Sequence, residues 1–236
     1  LVGGERDRLV LVLAAWGGRA QRVEGRTGRE VWSYAPRGED WMVNFHASPI
    51  VADLDGDGRP EAILADWRTD PRAEKDPSGA VHCLDASTGS VKWVRELSAP
   101  FASAPVFLGT GELVVGDTEG NLICLGADGA EKWREALRGS LRADPRLTPD
   151  GASAWVVVET GEVIETRAGQ RGAKPCAGFP RAQHMEWGSS GGKPIHVVAA
   201  RKEVAAIDPS AGKELWRHEA GGVVTGPGCG ACVGVH

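Results

Sequence analysis

Hydrophobic and polar positions along this chain alternate in short bursts. One stretch shows it well: "SAPVFLG", "ELVVGDT", "NLICLGA" and "EKWREAL" follow one another between Ser103 and Leu137. Each burst has strand length, and Gly, Asp or Asn separates it from the next. "GDTEGN" and "GADGAE" read as hairpin turns, since Gly and Asn tolerate the positive φ that tight turns need. The longest apolar run, "RLVLVLAAW" (Arg8 to Trp16), is also strand length, far short of the ~18 residues of a membrane span. No segment holds a helical period over ~11 residues. The pattern predicts an all-β protein.

The bursts repeat. "GRTGREVWSY" (Gly25 to Tyr34), "DASTGSVKWVREL" (Asp85 to Leu97), "GADGAEKWREAL" (Gly126 to Leu137) and "DPSAGKELWRHEA" (Asp208 to Ala220) each place a Gly four residues before a Trp. The tryptophans are Trp32, Trp93, Trp133 and Trp216. Trp93 and Trp133 are 40 residues apart, and Trp216 lies about two such steps further on. A degenerate copy without its Trp, "TRAGQRGAKPCAGF" (Thr166 to Phe179), fills the gap. Pro105 and Pro145 each stand 12 residues after a repeat Trp, and Pro227 stands 11 after Trp216. The first step, from Trp32 to Trp93, is about 20 residues too long, and the excess falls around "VADLDGDGRPEAILADW" and "RTDPRAEKDPSG".

Four antiparallel strands per ~40 residues is the signature of a β-propeller blade. "RLVLVLAAW" matches the second strand of a blade whose first strand is missing. The C-terminal "VVTGPGCGACVGVH" matches a lone first strand. The expected architecture is a single domain over 1–236 with five four-stranded blades: 225–236 plus 1–36, 45–98, 101–139, 142–180 and 184–221. The last strand then completes the first blade and removes the free edge. The alternative is an open piece of a longer propeller.

Composition narrows the function classes. The 236 residues carry a net charge of -5, which leaves no basic footprint for nucleic acid. The 33 Gly fit a turn-rich chain, and nine Trp against one Tyr and four Phe mark Trp as a repeated structural part. No secretory signal is visible, and a start at Leu1 without Met reads as a mature or trimmed form.

The Gly-x-x-x-Trp repeat resembles the tryptophan-docking repeat of quinoprotein-like propellers, the family of PQQ-dependent dehydrogenases and of the outer-membrane assembly lipoprotein propeller. The resemblance implies that Trp32, Trp93, Trp133 and Trp216 pack between neighbouring blades. It does not imply quinone chemistry: the dehydrogenases use eight blades and a vicinal Cys pair, and this chain has neither.

Asp53, Asp55, Asp57 and Glu61 stand at positions 1, 3, 5 and 9 of a loop, with Gly56 and Gly58 allowing its curvature and the Arg59 carbonyl at position 7. Calcium takes six to eight oxygens, mostly carboxylate and carbonyl. Leu64 at position 12 excludes an EF-hand. The loop instead resembles the shorter calcium loop of FG-GAP and integrin-type propeller repeats, between the first two strands of a blade. It is expected to hold Ca²⁺ in a structural role.

Cys229 and Cys232 form a CxxC for which three readings stay open. They are a disulfide or reactive thiol pair, packed small residues, or, by a local likeness to the aconitase family, cluster ligands. Cys83 and Cys124 occupy matching places in "AVHCLDA" and "NLICLGA" and read as core positions on third strands, while Cys176 has no assignment. The six His show no zinc spacing. "EDWMVNFHASP", with Trp41, Asn44 and His46, and "RAQHMEWGSS", with His184 and Trp187, read as equivalent loops leading into first strands, a candidate binding face for a sugar or peptide. No GxSxG, P-loop or dinucleotide fingerprint is present.

These readings converge on a non-enzymatic protein- or carbohydrate-binding scaffold, calcium-stabilised and extracellular, periplasmic or cell-surface. The alternative is a polysaccharide-active or quinoprotein-like enzyme domain.

Overall fold

The computed structural model describes residues 10–15, 17–36, 42–69, 77–109, 111–141, 144–148, 151–170, 172–178, 184–191, 193–200, 202–208, 211 and 213–221. The chain is all-β, a propeller, and every strand pairing is antiparallel. The first blade contributes β1 (Val10–Ala15), β2 (Arg19–Glu24) and β3 (Glu30–Tyr34). A ribbon follows: β4 (Met42–Asn44) starts it, β5 (Ile50–Ala52) and β6 (Glu61–Ala65) leave it, and β7 (Trp67–Thr69) returns to pair with β4. The second blade is β5 and β6 with β8 (Gly79–Asp85) and β9 (Val91–Leu97). The third is β10 (Val106–Leu108), β11 (Glu112–Gly116), β12 (Asn121–Gly126) and β13 (Glu131–Ala136). The fourth is β14 (Arg146–Leu147), β15 (Ser153–Val157), β16 (Glu162–Arg167) and β17 (Ala173–Gly178). The fifth is β18 (His184–Ser190), β19 (Lys193–Ala200), β20 (Glu203–Asp208) and β21 (Lys213–Glu219). Residues 225–236, expected to close the ring, lie outside the described residues.

Burial explains why the middle strands do not alternate. β6, β11 and β15 are buried at every position, because each blade is covered on both faces by its neighbours. Such strands read as continuous apolar runs. The outermost strands β9 and β13 alternate instead. The blade seams hold separate apolar clusters, one joining Leu54, Ile63 and Cys83 to Leu113 and Ile123, another joining Val114 and Cys124 to Val156 and Ile164. Cys83 and Cys124 are free and buried on the third strands β8 and β12. Burial pushes both thiols up to about 12, so they stay protonated and pack as hydrophobes.

One irregularity recurs in every blade among the described residues. The pairing of third and fourth strands slips by one residue just before Trp32, Trp93, Trp133 and Trp216, which leaves Val31, Lys92, Lys132 and Leu215 unpaired in the register. It also slips at the corresponding place in the fourth blade, where Ala177 faces Val163 and no Trp is present. The bulge therefore belongs to the blade, and the tryptophan uses it.

The docking itself is explicit at two seams. Trp32 Nε1 donates to the Ala86 carbonyl (3.0 Å) in the next blade's turn, and Trp93 Nε1 donates to the Ala127 carbonyl (2.8 Å). Each ring lies over the turn glycine of the following blade. A Cβ on Gly89 would come within 2.7 Å of the Trp32 ring, and one on Gly129 within 2.8 Å of the Trp93 ring. Both glycines also have positive φ, 75° and 77°. The glycines four residues before Trp93 and Trp133 are thus the floors on which Trp32 and Trp93 of the preceding blades rest. Trp133 is buried too, but its Nε1 finds no acceptor among the described residues. The fourth blade's longer turn offers no equivalent floor: nothing described lies within 4 Å of a Cβ at Gly169. Trp216 departs from the expected packing: it is 45% exposed, and all of β21 is exposed.

Blades are also tied end to end. The Asp66 carbonyl, just after β6, accepts from Phe101 N (3.2 Å), and the Asp117 carbonyl, just after β11, accepts from Leu141 N (3.1 Å).

Candidate functional site

The innermost strands lie side by side, β5 against β10 and β10 against β14. Between them is a cavity of about 580 Å³. Ile50, Val106, Phe107 and Leu147 give it an apolar wall, and Asp144 and Arg146 are its charged residues. The Asp144 carboxylate is committed: Oδ1 accepts from Ala104 N (2.7 Å), which fixes the approach to β10.

The aspartate loop joins β5 to β6, where the sequence puts it. Oxygens of Asp53, Asp55 and Glu61 converge within 4.8 Å of one another. Asp57 stands apart from them, its Oδ1 accepting from Arg59 N (2.7 Å). Asp53 accepts from Gly56 N (2.8 Å) and Gly58 N (3.0 Å), and Glu61 Oε2 from Leu54 N (2.7 Å). The side chain that sequence reasoning missed is Lys92. Its Nζ lies 2.7 Å from Asp55 Oδ2 and 2.7 Å from Glu61 Oε1. The contact lowers the Asp55 carboxyl below its usual range and raises the Lys92 ammonium above its own. The next blade repeats the pair without any aspartate loop, Lys132 Nζ standing 3.2 Å from Glu112 Oε1. Glu61 is thus first a repeat feature, a glutamate opening a second strand beneath a fourth-strand lysine. The oxygen donors suit a hard cation, and Lys92 now stands in for one.

A second polar cluster lies at the seam of the first two blades, and the sequence did not announce it. Tyr34 Oη and His82 Nδ1 are 2.8 Å apart, and His82 Nε2 and Asp66 Oδ2 are 2.8 Å apart. Asp66 also accepts from Arg68 Nε (2.8 Å) and, through Oδ1, from Ala80 N (2.6 Å). Asp66 and His82 are buried, and burial raises the Tyr34 hydroxyl. Phe45 meets the His82 ring edge-on at 6.0 Å. One signal was available: Asp66 follows β6 as Asp117 follows β11, so a histidine on the neighbouring strand has an acidic partner in reach.

The two expected binding loops are not equivalent loops. His184 and Trp187 lie in β18, paired with Ala199 and His196 of β19, because "HMEWGSS" finds a seven-residue partner there. Asn44 lies in β4, opposite Trp67, and its Oδ1 accepts from Gly17 N (3.1 Å). His46 is exposed with its ring 5.3 Å from that of Trp67. Trp41, Cys229 and Cys232 lie outside the described residues, and Cys176 sits at the β17 bulge.

His196 is fully buried on β19 and stacks on Trp155 of β15, ring centroids 4.0 Å apart. Burial pushes its imidazole down from 6.5 to about 3. The native chain holds the ring neutral, while the unfolded chain takes up a proton below about pH 6.5. Stability should therefore be intact above that pH and fall as pH drops towards 3, by about 1.4 kcal/mol per pH unit once the unfolded histidine is charged. Urea unfolding at pH 7, 5.5 and 4.5 measures the slope, and His196→Leu should flatten it by about one proton's worth.

This is an antiparallel β-propeller with tryptophan-docked blades, an inner cavity of mixed polar and apolar lining and buried polar ties between blades. A family profile described as outer membrane protein assembly factor BamB matches residues 77–220, more than half of the chain, and the chain belongs to that family. Among solved structures, the crystal structure of BamB from Moraxella catarrhalis is similar at a TM-score of 0.64 and 16% identity, over 89% of this chain and 57% of that one. The chain therefore spans less than two thirds of that protein's length. No curated protein matches it.

Proposed function

We propose that this chain is a protein-binding scaffold of an exported, periplasmic or outer-membrane setting, in the manner its family's description implies. The family match over 77–220 carries the reading. The cavity is in keeping with it: Ile50, Val106, Phe107 and Leu147 line one wall, and its one described carboxylate, Asp144, is bound to backbone. Glycoside hydrolysis usually needs a pair of free acids. No helix among the described residues is long and apolar enough to cross a membrane. The innermost strands present unpaired edges to the cavity, which suits an extended polypeptide adding a strand. The test is a titration with an unfolded outer-membrane β-barrel polypeptide and, separately, with oligosaccharides. Saturable binding of the polypeptide, weakened by Phe107→Asp in the cavity wall, is the expected result. Binding of sugar alone would overturn it.

Calcium enters the same proposal as a stabiliser held by Asp53, Asp55 and Glu61, with Asp57 and the Arg59 carbonyl completing the set. Lys92 occupies two of those carboxylates, so the ion binds in exchange for its ammonium. Calcium is expected to raise the thermal midpoint relative to EGTA, and Lys92→Met to strengthen calcium binding at least tenfold. A midpoint indifferent to calcium in both proteins, with no bound metal, would sink the calcium claim and leave Lys92 as the loop's permanent cation.

A further inference from the structure

The seam between the third and fourth blades departs from the two seams before it in one layer. Near the end of the third strand the repeat places Leu84 in the second blade and Leu125 in the third, each two residues before the alanine whose carbonyl receives the preceding blade's Trp. Both leucines are fully buried and belong to the clusters that Trp32 and Trp93 join. The fourth blade has Thr166 there, two residues before Ala168. The register agrees: Leu84 pairs with Ala62, Leu125 with Leu113 and Thr166 with Ala154, each time the second residue of the blade's second strand. Thr166 stands two residues from both Ile164 and Ala168, which pack in one cluster with Trp133, so its side chain faces the same seam. Thr166 is fully buried, and neither its hydroxyl nor the buried Trp133 Nε1 makes a hydrogen bond. Ala168 itself stands where Ala86 and Ala127 stand, but the Trp133 N–H does not reach its carbonyl. The turn is held elsewhere, Gly169 N donating to Glu112 Oε2 (2.8 Å).

We propose that a single water molecule is built into this seam as the joint between the third and fourth blades. Trp133 Nε1 donates to the water, and the water donates to the Ala168 carbonyl and hydrogen-bonds the Thr166 hydroxyl. Three partners are the usual number for a buried water. All three groups are neutral, which suits water and not an ion. Two buried polar groups left unmet in one layer would each lose their hydration for nothing, and Thr is smaller than the Leu that the repeat otherwise puts there. The tryptophan dock is thus made directly at the first two seams and through water at the third.

The test is nuclear magnetic resonance on the full 236-residue chain. Trp133→Phe assigns the indole proton by its disappearance. In wild type that proton should show cross-relaxation with a long-lived water, of the sign that a bound water gives and chemical exchange does not. Thr166→Ser keeps the hydroxyl and should keep the contact. Thr166→Val keeps the shape, drops the hydroxyl and should lose it. Urea unfolding gives a second readout. Thr166→Val should lower the folding equilibrium constant about tenfold, because the water loses a partner and the indole N–H loses the water, whereas a hydroxyl with no partner would make valine stabilising. An indole proton without water contact in wild type, a contact that persists in Thr166→Val, or a valine variant more stable than wild type would each overturn the proposal.

Discussion

Trp133→Ala is expected to destabilise the fold by about 3–5 kcal/mol, and Trp216→Ala by less than about 1 kcal/mol. The two residues hold the same place in their repeats, one position after the bulge. They differ in what covers them. Trp133 is 6% exposed, packed in the cluster with Val106, Val114 and Val156, and its removal leaves a cavity between the third and fourth blades. Trp216 is 45% exposed, so its removal strips little buried area. Urea denaturation followed by far-ultraviolet circular dichroism reads both, since tryptophan fluorescence changes with the substitution itself. Equal losses for the two variants would mean that Trp216 is buried in the single chain.

Asp66→Ala is expected to cost a similar amount, about 3–5 kcal/mol. Asp66 is fully buried, and its carboxylate serves Arg68, His82 and the Ala80 amide together. Its loss leaves the buried Ala80 amide without its acceptor and Arg68 with Glu96 as its only described carboxylate partner, 3.2 Å from its Nη1. Tyr34→Phe cuts the same network at its rim, removing only the hydroxyl beside His82 Nδ1. It should cost about 1–2 kcal/mol. The ordering is the informative part, and equal costs for Asp66→Ala and Tyr34→Phe would show that the cluster does not act through its aspartate. Since the network ties the first blade to the second, hydrogen exchange in β2 and β3 should accelerate more than in β15 and β16 for both variants.

The strands were legible from the residues because a blade is a local object. Turn glycines, period-two alternation and the Gly-x-x-x-Trp mark all lie within ~40 residues, so β10 to β13 fall where their bursts of sequence fall. The ribbon of β4 and β7 was not legible. Its two strands have three residues each and are separated by a complete hairpin, so no periodicity could accumulate. "HMEWGSS" looks like a loop in sequence for a related reason: its polar and small residues lack a strand's alternation, and only pairing with β19 makes it a strand.

The candidate site divides the same way. The sequence by itself determined an all-β repeat chain, its Gly-x-x-x-Trp marked blades, and an acidic loop between the first two strands of one blade. Those follow from spacing, which the chain carries along its length. Only the tertiary structure decided that Lys92, 37 residues from Asp55, stands in that loop as its cation, and that Tyr34, Asp66 and His82 meet. It alone decided that one docking tryptophan stays uncovered. Each of these depends on which blade lies next to which, and adjacency between distant segments is set by packing that no local pattern records.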